Sequence, residues 1–204
     1  MFDSYFSDSI IKRAIESKKI KVKFYNPRDF TKNKHNKVDD IPYGGGPGMI
    51  LMVDPIMRAW AKARGRSEKK KFHTIILSPG GVQFTTEYAK RSAQKYSDII
   101  FICGRYEGID ARVKQILGKS AEEVSIGNYV LTGGELATMV MIDSISRQVD
   151  GVLGNLSSRE EDRISSHEMY TRPAEYIHDK KKYSVPQVLM EGNHKLIDEW
   201  RREH

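Results

Sequence analysis

The spacing of apolar residues predicts alternating helices and strands along most of the chain. Apolar residues at helical spacing predict a helix over residues 5–18, and alternating apolar and lysine residues predict a strand over 20–24. From residue 73 onward, short apolar runs alternate with helical patterns, and the run 98–103 is almost wholly apolar. Such runs are typical of strands buried on both faces of a parallel sheet. The sequence therefore predicts an α/β fold.

The same patterns give the bounds of the other expected elements. Helices are predicted over residues 55–63, 86–95, 109–117, 135–148 and 193–203, and strands over 74–78, 123–126 and 129–131. Residues 28–49 have no regular period and predict a long loop, which in a compact domain has a functional reason. We expect three parts, namely a main domain over 1–150, a linker and lid loop over 151–183, and the start of a second domain over 184–204.

Composition and charge narrow the class of protein. With 204 residues and 39% hydrophobic content, the chain can bury one sizeable core. Lys and Arg outnumber Asp and Glu by 34 to 27, and the net charge of +7 favours a polyanionic partner. No apolar run approaches the ~18 residues of a membrane-spanning helix. The chain does not open like a signal peptide, and its single Cys103 cannot form an internal disulfide, so we expect a cytoplasmic protein without a membrane partner.

Four glycine-containing loops are candidates for ligand binding, over residues 42–49, 77–81, 104–110 and 125–135. Taken singly, a glycine cluster after a strand is more often a tight turn than a ligand cradle. The last three loops, however, follow successive predicted strands, and open α/β sheets bind ligands at the carboxyl ends of their strands. We therefore predict that these three loops form one pocket lined by backbone atoms.

General motifs do not identify the ligand. The sequence has neither the G-x-G-x-x-G fingerprint of dinucleotide-binding folds nor a P-loop. The six histidines and Cys103 show no metal-ligand spacing, so no dedicated metal site is predicted. Cys103 ends an apolar strand, which favours a place in the core over a reactive role.

Seven segments resemble the signature segments of the TrmD family of bacterial tRNA (guanine-N1)-methyltransferases. In that family's order, they are residues 27–31, 38–40, 42–49, 103–110, 125–131, 133–136 and 170–173. The resemblance covers nearly the whole chain. It implies a SPOUT-type α/β sheet with a deep trefoil knot, followed by a linker and the start of a truncated C-terminal helical domain that binds tRNA. The implied activity is methyl transfer from S-adenosylmethionine to N1 of the guanosine 3′ of the anticodon, position 37.

The resemblance also implies which residues bind the cofactor and the substrate. The cofactor-binding positions would be Leu77, Ser78, Pro79, Gly104, Tyr106, Glu107, Ser125, Ile126, Gly127, Asn128, Tyr129, Val130, Leu131, Gly133 and Gly134. The substrate-binding positions would be Asp39, Tyr43, Gly44, Gly45, Gly46, Pro47, Gly48 and Arg105. An adenine ring needs apolar walls and backbone donors, which these residue types supply. Glu107 has an alternative interpretation as an ordinary ion-pair partner of Arg105 or Arg112.

Methylation of guanine N1 requires a base for the N1 proton and a cation for the charge left on O6. The resemblance places the base at Asp162 and the cation at Arg147. Alternatively, residues 160–162 are only a solvated acidic run. The loop from Asp162 to Tyr170 is shorter than in the family, and Arg163-Ile164 replaces its common Ser-Phe.

The resemblance further implies tRNA as the partner, a homodimer with active sites shared between subunits, and magnesium dependence as a family trait. The chain begins in its first helix and ends soon after residues 192–194, whereas the family has an opening strand and a longer helical domain, so we expect weakened RNA affinity. Two alternatives stay open, a SPOUT methyltransferase acting on another RNA position, such as a ribose hydroxyl, and a non-catalytic RNA-binding module. A small-molecule enzyme is disfavoured by the charge balance.

Overall fold

The described part of the computed structural model comprises residues 1–66, 71–154 and 168–203. The chain divides into two units, Met1–Val152 and Leu153–His204. The first unit contains helices α1 (Phe2–Phe6), α2 (Ser9–Glu16), α3 (Val53–Arg64), α4 (Thr86–Lys95), α5 (Arg112–Leu117) and α6 (Glu135–Ser146) and strands β1 (Asp39–Asp40), β2 (Ile50–Leu51), β3 (Phe72–Gln83), β4 (Asp98–Ile102) and β5 (Ala121–Ser125). The second contains β6 (Glu175–His178), β7 (Lys181–Ser184) and α7 (His194–Glu203). The predicted α/β fold is therefore confirmed.

The central sheet of the first unit consists of three parallel strands in the order β4-β3-β5. β3 lies in the middle and pairs with β4 as far as Ile76 opposite Ile102. On its other side it pairs with β5 as far as Leu77 opposite Val124. Because all three strands run in the same direction, their carboxyl ends meet at one edge of the sheet.

β3 extends further than the sequence predicts because it continues through a turn at this edge. The register shifts after Leu77, so that Val124 of β5 pairs with two residues of β3, first Leu77 and then Val82. Gly81 allows this close approach, since a Cβ atom there would lie 2.5 Å from the backbone of β5. Residues 78–81 therefore form a turn that is held against the end of β5.

Apolar side chains pack on both faces of the sheet, as the continuous apolar runs predict. On one face Ile76 packs with side chains of α3 and α5, and on the other Ile75 packs with side chains of α4 and α6. The buried members of the first cluster are Val38, Leu51, Ile56, Ile76, Ile102, Val113 and Leu117, and those of the second are Ile75, Tyr88, Ala89, Val124, Met141 and Ile145. Successive residues of β3 thus pack against helices on opposite faces of the sheet.

A half-buried polar network joins α4 to the amino ends of β3 and β5. The hydroxyl of Tyr88 donates a hydrogen bond to Glu122 (2.7 Å) and lies 3.0 Å from Nε2 of His73. Burial lowers the pKa of His73, while burial and the hydrogen bond to Glu122 raise the pKa of Tyr88. The network lies at the amino ends of these strands and so supports the fold away from the carboxyl edge.

The amino-terminal region differs from the prediction in two ways. The single helix expected over residues 5–18 is interrupted, because Asp8 is extended and its carboxylate accepts a hydrogen bond from the Ser9 N–H (2.8 Å), which begins α2. Residues 20–24 form no strand. The alternating pattern instead places Ile20 and Val22 on a half-buried side and the lysines on an exposed side. A two-residue period therefore does not by itself show that a neighbouring strand is present.

Three further expectations differ from the structure. Residues 129–131 form no strand, because the chain after β5 turns sharply. The expected loop over 28–49 contains β1, and the expected linker over 151–183 contains β6 and the start of β7. The other predicted elements lie within a few residues of their observed bounds. In the described residues, no helix combines the length and the apolar character needed to cross a membrane.

Candidate active site

Three loops meet at the carboxyl edge of the sheet, as the glycine pattern predicts. The N–H of Gly134 donates a hydrogen bond to the carbonyl of Gly104 (2.8 Å), and Arg105 and Gly133 form an isolated antiparallel bridge. A Cβ atom on Gly134 would lie 2.9 Å from Cα of Cys103 and 3.1 Å from Cβ of Leu77. The ends of β3 and β4 and the start of α6 are therefore in direct contact.

The turn after β5 is fixed by its own polar groups. The hydroxyl of Ser125 donates to the carbonyl of Gly127 (2.9 Å) and accepts a hydrogen bond from the Gly127 N–H (3.2 Å). The N–H of Tyr129 also donates to the Gly127 carbonyl (3.0 Å). The ring of Tyr129 occupies the space beside Gly127, so a side chain at that position would displace it. This turn leaves Tyr129 and Val130 exposed at the same edge of the sheet.

The loop after β4 carries the charged groups of the edge. Nε of Arg105 donates to Oε1 of Glu135 (2.6 Å), and this hydrogen bond raises the pKa of the guanidinium. Arg112 donates two hydrogen bonds to Asp110 and lowers the pKa of that carboxyl. Both arginines are thus paired with other carboxylates, so the interpretation of Glu107 as their ion-pair partner is wrong. Its carboxylate remains a candidate for ligand binding.

The glycine-rich segment over residues 42–48 is joined to this loop through backbone hydrogen bonds. The N–H of Glu107 donates to the carbonyl of Met49 (3.1 Å), and the N–H of Leu51 donates to the carbonyl of Gly108 (3.0 Å). The side chain of Glu107 also lies directly against Gly48. The expected substrate-binding residues, with Tyr43 fully exposed among them, therefore adjoin the expected cofactor-binding loops.

The conformation of the segment explains its glycines. Gly44, Gly45, Gly46 and Gly48 all have φ between +79° and +116°, a region that residues with a Cβ atom rarely adopt. The segment stands between β1 and β2, which pair from Asp39 opposite Leu51. A short hairpin with a glycine tip is therefore built beside the three loops.

The two expected catalytic residues are not both described. Arg147 follows the last residue of α6, is half-buried, and donates its backbone N–H to the carbonyl of Asp143 (3.1 Å). Asp162 and the rest of the acidic run lie outside the described residues. The pairing of Asp162 with Arg147 therefore stays a prediction.

Cys103 belongs to the packed interior of this edge. Its Sγ lies 3.1 Å from the hydroxyl oxygen of Thr138, and burial raises its pKa to about 11. The thiol is therefore protonated at neutral pH and is a poor nucleophile. Within residues 1–66, 71–154 and 168–203, no group of three or more His, Cys, Asp or Glu side chains is placed so that it could hold a metal ion.

Glu135 is the residue of this site that the sequence analysis missed. It holds Arg105 across the site, and it lies in the first turn of α6 directly after Gly134. A signal was present, since Gly104 and Gly134 are each followed by a charged residue of opposite sign. Two such turns at one sheet edge predict an ion pair between them.

The fold and these contacts define an α/β protein in which three loops meet at the carboxyl edge of a parallel sheet, the edge where open α/β sheets bind ligands. The family model described as tRNA (Guanine-1)-methyltransferase TrmD matches residues 1–204. The chain therefore belongs to this family of methyltransferases, as its seven signature segments predict.

Curated relatives agree with this assignment. They include proteins named tRNA (guanine-N(1)-)-methyltransferase from Bacillus cereus (strain AH820), Bacillus anthracis (strain A0248) and Bacillus thuringiensis subsp. konkukian (strain 97-27). Each is 45% identical over 207 residues, which cover 100% of this chain and 82% of the relative. The similarity thus includes both units of the chain.

Proposed function

We propose that this protein transfers a methyl group from S-adenosylmethionine to N1 of the guanosine 3′ of the anticodon, position 37 of tRNA. The observation that carries the proposal is the contact of Leu77, Gly104 and Gly134 at one sheet edge, within the segments that mark the family. The names of the 45% identical relatives give the same reaction class. We place the reaction in the cytoplasm, because the free thiol of Cys103 stays reduced in that compartment.

The proposed cofactor site consists of residues Leu77–Pro79, Gly104, Tyr106, Glu107, Ser125–Leu131, Gly133 and Gly134. These positions fit an adenosine because they combine half-buried apolar walls at Leu77 and Ile126 with backbone donors and acceptors. When bound, S-adenosylmethionine would supply an electrophilic methyl group, and the electron pair of the broken S–CH3 bond would stay on sulfur as the neutral thioether of S-adenosylhomocysteine. The close contact of the loop after β4, the loop before α6 and the end of β3 also supports the trefoil knot that we propose for the first unit.

The proposed chemistry assigns one step to each catalytic residue. The carboxylate of Asp162 accepts the N1 proton, so that the lone pair of N1 becomes the nucleophile. The guanidinium of Arg147 stabilises the negative charge that develops on O6. The substrate-binding segment over residues 42–48, with Arg105 and Asp39, positions the RNA beside the cofactor loops. No step is assigned to a magnesium ion.

The direct test of the function is calorimetric titration with S-adenosylmethionine, followed by tritiated methyl transfer in the same preparation. The substrates are two tRNAs that differ only in having G or A beside the anticodon. We expect cofactor binding, with transfer only to the G-bearing tRNA. Transfer to both tRNAs, or binding of tRNA without binding of the cofactor, would contradict the proposal.

The proposed tRNA partner fits the distribution of charge in the first unit. Residues 18–37 contain eight lysines and arginines and one aspartate, a net +7 that equals the formal charge of the whole chain. All eight basic side chains are exposed. The segment is anchored by Phe24, whose ring packs 4.8 Å from that of Phe2. An exposed basic segment that leads into the 42–48 loop suits the phosphate backbone of an RNA.

Neutralising part of this segment is expected to lower the salt dependence of tRNA binding. In the triple variant Lys19→Gln, Lys21→Gln, Lys23→Gln, the slope of log K against log salt is expected to fall by about 2 to 3, because each lost phosphate contact removes about 0.7 to 0.9. Fluorescence anisotropy at several salt concentrations measures the slope.

The control has the same change in net charge at another place. The triple variant Lys62→Gln, Lys114→Gln, Lys119→Gln removes three exposed lysines of the first unit outside the basic segment. We expect its slope to stay near that of the unaltered protein. Equal slopes for the two triple variants would show that only total charge matters, and the segment would lose its proposed role.

The proposed homodimer fits an apolar face of α6. Ala137, Met141 and Ile145 of this helix are buried, and the last two belong to the second core cluster. Leu136 and Val140, one turn apart on another side of the helix, are each 50% exposed. These two apolar side chains lie on a side of α6 that the described core does not cover, and an apolar side of a helix is ordinarily buried. A second copy of the chain, which would also bring its own Asp162 loop to the shared site, is the proposed cover.

Placing a charge on this face is expected to separate the subunits. For Val140→Lys, we expect a monomer in sedimentation equilibrium and a loss of methyl transfer, because a desolvated lysine in an apolar interface is strongly unfavourable. Ile116→Lys, at an exposed apolar position of α5, is the matched control and should keep both properties. An unaltered protein that transfers methyl groups as a strict monomer would rule out the shared site.

A further inference from the structure

The hairpin of β6 and β7 exposes every one of its strand residues. The strands pair from Glu175 opposite Ser184 to His178 opposite Lys181, and all eight residues are exposed. The turn between them is Asp179-Lys180, and both residues have positive φ, as in a two-residue hairpin of the primed type. A two-stranded hairpin with no buried face is marginal by itself in water. Packing in a core therefore does not explain which side chains this hairpin carries.

One face of the hairpin carries three flat rings and a cation. The register places Tyr176 directly opposite Tyr183, and His178 and Lys181 follow on the same face. The rings of Tyr176 and His178 are stacked, with centroids 6.4 Å apart and an interplanar angle of 15°. Nζ of Lys181 lies 5.2 Å from the centre of the Tyr183 ring. The face is thus an exposed aromatic surface with a positive charge at its edge.

The opposite face has a different character. It carries Ile177 and Ser184, together with Glu175 and Lys182, whose carboxylate and ammonium groups form an ion pair (2.5 Å). The charges of that face neutralise each other and leave no exposed aromatic ring. The two faces therefore share one hairpin backbone and differ in their side chains, since one face is aromatic and cationic and the other has a neutralised ion pair.

We propose that the aromatic face, made of Tyr176, His178, Lys181 and Tyr183, binds unpaired nucleotides of the RNA substrate by base stacking. Planar rings accept the faces of unstacked bases whatever their sequence, and neighbouring lysines neutralise the backbone phosphates. Paired bases are already stacked in their helix, so the face distinguishes single-stranded from double-stranded RNA. The identity of the RNA as tRNA rests on the proposed function, whereas the stacking face stands on the hairpin alone.

Charge complementarity favours RNA over a protein partner. The turn and β7 place Lys180, Lys181 and Lys182 in succession, and only Lys182 is paired with a carboxylate among the described residues. The centre of a protein interface is ordinarily depleted of charged residues and of lysine above all, whereas here Lys181 lies beside the Tyr183 ring and the aliphatic Ile177 lies on the other face. The combination of rings and cations without aliphatic side chains is typical of single-strand binding.

The test compares three forms of the full chain with the unaltered protein. The double variant Tyr176→Val, Tyr183→Val removes both rings and keeps the β-propensity of the strands, while the double variant Tyr176→Phe, Tyr183→Phe keeps the rings. Ile177→Thr changes the opposite face. The probes are a fluorescently labelled anticodon stem-loop RNA and a blunt RNA duplex of equal length.

We expect the valine variant to bind the stem-loop about tenfold more weakly, since stacking on an aromatic ring contributes strongly for each base. Its binding to the duplex should be unchanged, and the phenylalanine and Ile177→Thr variants should bind both probes like the unaltered protein. Equal weakening toward the duplex, a phenylalanine variant as weak as the valine variant, or a change of oligomeric state in the valine variant would each overturn the stacking role.

The same preparations separate this inference from the proposed function. An unaltered protein that methylates G-bearing tRNA, together with a valine variant of unchanged stem-loop affinity, would remove the stacking face and leave the enzyme. A protein that transfers no methyl group and yet loses stem-loop affinity in the valine variant would remove the enzyme and leave the stacking face.

Discussion

Replacing Gly134 with alanine is expected to weaken S-adenosylmethionine binding by roughly ten- to hundredfold, the effect of about 1–3 kcal/mol of overpacking. A Cβ atom at this position would lie 2.9 Å from Cα of Cys103 and 3.1 Å from the backbone nitrogen of Gly104. Both of these neighbours are backbone atoms and cannot rotate away. The loop before α6 must therefore move away from the end of β4 and open the site.

Calorimetric titration of the variant with S-adenosylmethionine measures this effect, and thermal unfolding of the free protein shows whether the change stays local. The matched control is Gly154→Ala, where an added Cβ would meet no atom of the described residues within 4 Å and no positive φ opposes it. We expect the control to bind the cofactor with unchanged affinity. Unchanged affinity in Gly134→Ala would show that the three-loop contact is not part of the cofactor site.

The parts of this site that could be predicted from the sequence depend on local rules. The apolar run 98–103 can only be a buried strand or a short buried helix, and Gly104 directly after it marks the end of that element. Glycines after successive parallel strands must lie at one edge, whatever the details of packing. Strand direction therefore predicts that Gly104 and the loop after β5 lie at one edge, whereas the contact of Gly104 with Gly134 across the end of β3 depends on the course of that loop.

Other features depend on pairing over long distances. The register shift in β3 is possible because Gly81 lies against β5, about forty residues away in sequence, and no local pattern near Gly81 shows this. The strand predicted over 20–24 has the right period and no neighbour to pair with. Periodicity reports which side of a segment is buried, and it does not report whether another strand is present.

The hairpin of β6 and β7 was missed for a different reason. Strand prediction relies on a buried face that alternates with an exposed one, and this hairpin is exposed on both. Its turn, Asp179-Lys180, also lacks the glycine that usually marks a two-residue hairpin. A hairpin without a buried face does not show the hydrophobic alternation by which a packed strand is recognised.

Replacing Asp162 with asparagine is expected to lower kcat for methyl transfer by on the order of 10²-fold or more, because the N1 proton then has no base to accept it. Binding of S-adenosylmethionine should be unchanged, since the proposed cofactor site contains no part of the acidic run. Arg147→Ala should lower kcat by about 10²- to 10³-fold through loss of the charge opposite O6. Single-turnover transfer to G-bearing tRNA measures both variants without the contribution of product release.

The acidic run itself provides the controls that distinguish a base from a solvated surface. Glu160→Gln and Glu161→Gln each remove one negative charge beside Asp162 and leave the proposed base in place. If Asp162 is the base, it is the only one of the three acidic residues whose replacement abolishes rapid turnover. The double variant of Asp162→Asn with Arg147→Ala should lose less than the product of the two single effects, because both residues act on the same proton transfer. Similar, small losses for all three acidic residues would instead identify the run as a solvated surface and would require another base for N1.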